Sequence, residues 1–511
     1  MGRSGKRFGR ELRIFLVLCA LAFCARFFVA WDQSLWTDEV AGVLVSDRGL
    51  AGIIGIIAFF DVSPPLSYLF MRLVLFFGRS DIWLRVPFEL LGALSCGLLY
   101  VLLRRLGVGF AWLAGALLAI LPMHLYLSQE VRHYALSSVL SMLWMLTLID
   151  FEDDPRRARG PFILVRLLGI FNHYYLFSLF CVDWAYLVWR RRRDVLKRLL
   201  WYQALVGIYY LPWVFALIHQ IGARTYRFRV GASPVLVIKD LFSHILFFAA
   251  DSPEPSLVAL ARADAYSSPL LLAAPFLFVL LAGAVFPSEF DRARKLLLSW
   301  LLVPVLLVAL VAWRVPLYQH RYFIIVLGAF CGLLALGFGN LARLNRWVAI
   351  SFGAIVVFVW SNVLLEYHLD ETYHREDWRA LSSYLESREP SRDVGILVYS
   401  PNAMGGLMYY YDGRMKVYEA IPSRGLGFGT YDLDLIRNRL RAISNLREIY
   451  FVDHYRHMFD PNGVVASEIE ARYSKVEDFW DRYRIHGGRY VKRGSKGHEE
   501  ESRAIPEAGG R

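Results

Sequence analysis

Cysteine is scarce in this chain, with five residues in 511: Cys19, Cys24, Cys96, Cys181 and Cys331. All five lie in apolar runs and none in the polar C-terminal third, which argues against a disulfide framework and against a cysteine-ligated metal. They read as small packing residues. Charge is thin too, at 20% of residues. No internal repeat is visible, and the stretch from Gly494 is alone in having a disordered composition. What fills the chain instead is hydrophobic sequence, 56% of residues with a mean hydropathy of +0.39, in many runs close to the ~20 residues that a bilayer-crossing helix needs.

The net charge is +12 and the pI about 9.4. The basic residues fall mostly in short loops between apolar runs, the positive-inside pattern of a membrane protein, so nucleic acid is set aside as a partner. Arg3, Lys6, Arg7, Arg10 and Arg13 precede the first run and imitate a signal peptide. The run from Ile14 to Trp31 is long for such a segment and shows no clear cleavage site. It reads as a retained first helix with its tail in the cytoplasm.

Length and apolarity predict about eleven spans. They lie near 12–31, 83–103, 108–127, 133–150, 161–172, 174–189, 199–219, 268–287, 296–313, 322–341 and 347–366. Alternating crossings from a cytoplasmic N-terminus place five basic loops inside, as charge bias requires: Arg104-Arg105, Arg156 to Arg159, Arg190 to Arg193, Arg292 to Lys295 and Arg343 to Arg346. Between the second and third of these loops the chain must go out and return, which predicts two short helices with a turn near Asn172-His173-Tyr174.

The external side then receives loops from about Asp32 to Asp81 and Gln220 to Tyr266, a corner from Arg314 to Tyr322, and the polar segment from Glu366. In the first loop, Gly49 to Phe60 and Leu66 to Gly78 read as helices lying in the interface. The C-terminal segment alternates helical stretches (Asp377 to Ser387, Asp432 to Ala442) with strands (Gly395 to Ser400, Glu448 to Asp453), a small α/β module. The expected division is a transmembrane domain over 1–366, an external α/β domain over 367–493 and a tail over 494–511.

Polar residues at the external ends of apolar runs are the candidates for chemistry, because charge is costly there. Asp38 and Glu39 follow the first run in Trp36-Thr37-Asp38-Glu39. Adjacent carboxylates supply a general base, a divalent-metal site or a capped helix end. Asp61 stands before Ser63-Pro64-Pro65, where two prolines fix a corner. Ser128-Gln129-Glu130-Val131-Arg132-His133-Tyr134 joins two runs, and Arg132 suits phosphate oxygens. His173-Tyr174 and Arg321-Tyr322 also face outwards on this topology, Arg321 in a short corner where positive charge is disfavoured. Arg224, Arg227 and Arg229 sit in a long loop that escapes that bias. Asp183, inside a span towards the cytoplasmic half, stands apart from the external group.

In their order and topology these pieces resemble the GT-C class of multi-span glycosyltransferases that use a polyprenyl-phosphate sugar. They are most similar to bacterial relatives of dolichyl-phosphate-mannose protein mannosyltransferases and of the lipid A aminoarabinose transferase. Asp377-Trp378-Arg379, Asp393 to Tyr399 and Tyr409-Tyr410-Tyr411 are similar to that family's external domain. The resemblance covers nearly the whole chain. It implies an inverting transferase of a bacterial inner membrane, with Asp38 as catalytic base at the periplasmic face and Glu39 holding an acceptor or a divalent metal ion. It implies donor phosphate on Arg132 and Arg321, and substrate contacts from Asp61, Gln129, Tyr134, His173, Tyr174 and Tyr322. Many relatives carry histidine before the proline pair, and Ser63 stands there in this chain. The acceptor is a lipid, polysaccharide or protein hydroxyl. The competing class is a polytopic lipid or glycolipid transporter; such proteins tend to show repeated halves and midplane sites, whereas these candidates gather at one face.

Overall fold

The structure is a computed structural model. It describes all residues except 1, 31–32, 62, 223–232, 248–268, 287–288, 316–317, 371–373, 389–392, 422–432, 455, 457–459, 461, 483–484 and 495–511. Two compact units emerge, and both are discontinuous in sequence. One holds residues 1–32 and 46–370; the other holds 33–45 and 371–511.

The first unit is helical. Its elements are α1 (Gly2–Ala30), α3 (Leu50–Phe60), α4 (Leu66–Phe77), α5 (Asp81–Arg105), α6 (Trp112–Ile120), α7 (Pro122–Ser128), α8 (Tyr134–Asp153), α9 (Arg159–Asn172), α10 (Ser178–Trp189), α11 (Arg193–Gly222), α12 (Pro234–Phe247), α13 (Pro269–Val285), α14 (Asp291–Ala312), α15 (Leu327–Leu344) and α16 (Arg346–Leu369). Short 3-10 segments at Tyr174–Phe177 and His320–Val326 lead into α10 and α15. Each expected span is mainly helical among the described residues. Among the described residues, six helical segments are long and apolar enough to cross a bilayer: α5, α8, α11, α14, α15 with its 3-10 lead, and α16.

Local chemistry sets the boundaries. Leu121, with ψ of 116°, is extended as expected before proline, and Pro122 opens α7 at a position where no N–H is needed, so the run expected over 108–127 is two helices. Between α9 and α10, His173 is extended and its ring accepts the Tyr175 N–H at 3.2 Å, turning the chain back as expected. The first-loop helices α3 and α4 match their expected limits within a residue, whereas α12, within the second long loop, is new.

Some buried polar residues of this unit bond one another. Arg166 and Asp183 are both fully buried and pair at 3.0 Å. Thr147 accepts from Arg166 at 2.8 Å, while Trp144 and Gln203 donate to Asp183 at 2.9 and 3.1 Å. Asp183 is thus a structural anchor. Helices also meet closely: a Cβ on Gly337 of α15 would lie 1.9 Å from the Val279 carbonyl oxygen, and one on Gly283 of α13 would lie 2.1 Å from that of Leu333. Small residues at such crossings let backbones approach where no water drives association.

The second unit contains α2 (Thr37–Ser46, of which Ser46 falls in the first unit), α17 (Trp378–Glu386), β1 (Val394–Val398), α18 (Pro401–Tyr410), β2 (Lys416–Glu419), α19 (Leu433–Ala442), β3 (Glu448–Asp453), α20 (Val464–Glu470), β4 (Tyr473–Arg482) and β5 (Ile485–Lys492). The strands form one mixed sheet in the order β2-β1-β3-β5-β4. β1 is parallel to β2 and β3; β5 is antiparallel to β3 and β4. Alternation along β1 and β3 explains the two covered faces. Ile396, Val398, Tyr450 and Val452 pack with Trp378, Leu381 and Leu407, while Leu397, Ile449 and Phe451 pack with Ile436, Leu440 and Tyr473.

Candidate active site

Asp38 and Glu39 lie in the first turn of α2, a helix start rather than the end of the preceding apolar helix. Carboxylates are favourable there because the first amides lack partners. Glu39 is fully buried. Its Oε2 accepts the Trp36 N–H at 3.1 Å, half of a capping box, and its Oε1 accepts from Arg375 at 3.4 Å. The same start is held by Glu376, whose Oε2 accepts the Thr37 N–H at 3.1 Å and whose Oε1 lies 3.2 Å from His454 Nε2. Trp378 donates to the Thr37 hydroxyl at 3.2 Å, and the Leu35 N–H donates to Tyr410 at 2.7 Å. Asp38 itself is half-buried. The frame fixing it comes from residues more than 330 positions away, and Arg375, Glu376 and His454 carry no sequence motif that announces them.

In the first unit, helix ends bring a second group together. Asp61 closes α3 and accepts the Tyr68 hydroxyl of α4, with Pro64 and Pro65 setting the corner between them. Burial pushes the Tyr68 hydroxyl well above its usual range, Asp61 adds to that, and Arg132 and Ser63 pull against it. Tyr68 therefore stays protonated and donates.

Arg132 directly precedes His133 and Tyr134, and Arg321 lies in the 3-10 segment before α15 beside Tyr322, whose ring centre is 5.7 Å from that of His133. His133 stacks on His173 with ring centres 4.2 Å apart. Tyr322 packs 4.3 Å from His173 and 5.0 Å from Tyr175, and lies 6.4 Å from Tyr134. The His133 carbonyl accepts from Asn172 at 3.3 Å, which ties the corner to α9. Arg132, Tyr134, His173, Arg321 and Tyr322 thus form one neighbourhood. Its guanidinium groups and aromatic faces can hold a phosphate and the ring attached to it.

Two expected contacts are spent elsewhere. Gln129 is buried: its amide donates to the Arg26 carbonyl at 2.9 Å and accepts from Tyr367 at 3.3 Å, while its own carbonyl accepts from Arg85 at 3.0 Å. Tyr174 donates to Gln220 at 2.5 Å and accepts from Trp213 at 3.1 Å, towards α11. Its neighbour Tyr175 faces Tyr322 instead. Arg224, Arg227 and Arg229 lie outside the described residues. Among the described residues, the trio with metal-ligand spacing is Asp240, His244 and His320, and neither Asp38 nor Glu39 belongs to such a trio.

The fold of the chain, helical with a small C-terminal sheet, is shared with solved structures of other proteins. It aligns with ArnT from Cupriavidus metallidurans solved bound to undecaprenyl phosphate, at 13% identity and a TM-score of 0.52, over 94% of this chain and 98% of that one. The apo state of the same protein aligns at 12% identity and a TM-score of 0.53, over 95% and 98%. The Archaeoglobus fulgidus oligosaccharyltransferase, in complex with zinc and sulfate, aligns at 11% identity and a TM-score of 0.53, over 94% of this chain and 73% of that one. At such identities the likeness is one of fold. No family model and no curated protein sequence matches the chain.

Proposed function

We propose that this chain is a membrane glycosyltransferase of a bacterial inner membrane. It moves a sugar from a polyprenyl-phosphate donor to an acceptor hydroxyl at the periplasmic face. The packing of Tyr322 against His133 and His173 carries the reading, because it brings Arg321 and Arg132, which precede Tyr322 and His133 in sequence, to one corner, and two arginines there suit a lipid-borne phosphate. ArnT bound to undecaprenyl phosphate supports the donor class through its shared fold.

Asp38 acts as general base. It removes the proton of the acceptor hydroxyl, whose oxygen attacks the anomeric carbon opposite the leaving phosphate. The bond from that carbon to the phosphate oxygen breaks, and the configuration inverts. Arg132 and Arg321 stabilise the charge that collects on the departing lipid phosphate, where fixed charges are most effective. Tyr134, His173 and Tyr322 line the donor, with Tyr175 added to them, and Asp61 orients substrate hydroxyls through the corner it shares with Tyr68. Glu39 positions Asp38 by fixing the start of α2 on Arg375. Gln129 and Tyr174 serve as supports of the corner.

The test is transfer by the purified protein in lipid, with radiolabelled polyprenyl-phosphate sugars and membrane extracts as acceptors. The reading expects label to move from one donor with the wild type and none with Asp38→Asn, at equal folding and insertion. Near-wild-type transfer by that variant removes Asp38 from the reaction, and absence of transfer from every donor class removes the transferase.

A further inference from the structure

The second long external loop contains a helix that the transferase chemistry does not use. Along α12, Asp240 and His244 are four residues apart and share a face. His320, at the start of the 3-10 segment before α15, comes to the same place. One ligand atom from each of the three lies within 4.8 Å of the others. The two imidazole rings face each other with centres 3.8 Å apart and planes 13° from parallel.

The surroundings orient these groups. His244 Nδ1 lies 2.8 Å from the Asp240 carbonyl oxygen, one turn back, and 3.4 Å from Asp240 Oδ2. Donation from Nδ1 to that carbonyl leaves the lone pair on Nε2, the usual arrangement of a metal-binding histidine. The Tyr318 hydroxyl donates to Asp240 Oδ2 at 2.6 Å, so the carboxylate has an outer partner as well. His320 is buried and both His244 and Asp240 are half-buried, with the Asp240 side chain 46% exposed against 13% for His244, which leaves the carboxylate side open to an entering ion. Two imidazoles this close repel one another if both are protonated, whereas both serve a cation when neutral.

We propose that Asp240, His244 and His320 bind a divalent transition metal of the zinc class. Two imidazole nitrogens and one carboxylate oxygen are three protein ligands of the type such ions take, with a fourth position left to water. The ion staples α12 to the 3-10 segment that carries Arg321. The site stands on its own residues and holds whether or not the transferase reading does.

The experiment uses the full chain purified through a tag without histidine, stripped with chelator and titrated with cobalt(II). One equivalent is expected to produce the visible bands of a four-coordinate ion, without thiolate charge transfer, and zinc is expected to displace it. His244→Gln and His320→Gln lose the bands, while His219→Gln, on α11 beside Phe59, keeps them. Tyr318→Phe weakens the affinity by about tenfold, the cost of an outer partner. His244→Cys gives a gain of signal, because a thiolate at that position adds cobalt charge transfer to the spectrum. No stoichiometric cobalt in the wild type, equal loss in His219→Gln, or no charge transfer in a folded His244→Cys protein each overturns the site.

Discussion

At the scale of single residues, the account separates groups that react from groups that hold. Asp38→Asn is expected to abolish transfer with no change in unfolding temperature, because the half-buried side chain is assigned to the reaction. Arg375→Met is expected to act on stability first. It leaves the buried Glu39 carboxylate without its cation, at a cost of about 3–5 kcal/mol. The unfolding transition should fall accordingly, and the double variant with Glu39→Gln should recover part of the loss. Arg321→Gln should lower kcat by about a hundredfold with labelled donor, the scale seen when one donor to a developing oxyanion is lost. An unchanged kcat would detach Arg321 from the phosphate. The sequence makes Asp61, Arg132, Arg321 and Tyr322 legible because charged and aromatic groups stand out at the ends of apolar runs. It does not show that Tyr174 turns to Gln220 while Tyr175 takes the place beside Tyr322. Adjacent residues of a 3-10 turn point in different directions, and no periodicity encodes which one faces the cluster.

At the scale of elements, hydropathy carried most of the information. Runs of bilayer length became helices, and the interfacial pair α3 and α4 appeared where apolar spacing placed them. The start of α2 was read as the end of the first helix, because its apolar content is short and its carboxylates sit beside a longer run. In the C-terminal segment, β1 and β3 stand out as continuous apolar strands. β4, with Lys475, Glu477, Asp478 and Asp481, hides its strand character under charge, and β5 hides its own behind Gly487 and Gly488. Helix contacts yield a sharper prediction. Gly337→Ala forces a methyl group against the Val279 carbonyl, and α13 and α15 must separate. A loss of about 1–3 kcal/mol is expected, read as a lower unfolding temperature in detergent. Gly207→Ala, whose added methyl meets nothing within 4 Å, should not lower that temperature.

At the scale of the whole molecule, the chain crosses between two units three times. Residues 33–45, which bear Asp38, fold with the C-terminal sheet and not with the helices that flank them in sequence. A discontinuous unit of this kind rests on contacts such as Thr37 with Glu376, whose separation no local pattern reveals. The account requires that the base on one unit and the guanidinium groups on the other work from a single side of the membrane. Single cysteines at Asp38, Arg132 and Arg321, in a background free of the five native ones, can be exposed to a membrane-impermeant maleimide in intact spheroplasts. All three are expected to label before the membrane is broken, while one in the Arg156 to Arg159 loop labels only afterwards. Labelling of 38 from one side and of 132 or 321 from the other would contradict the enzyme.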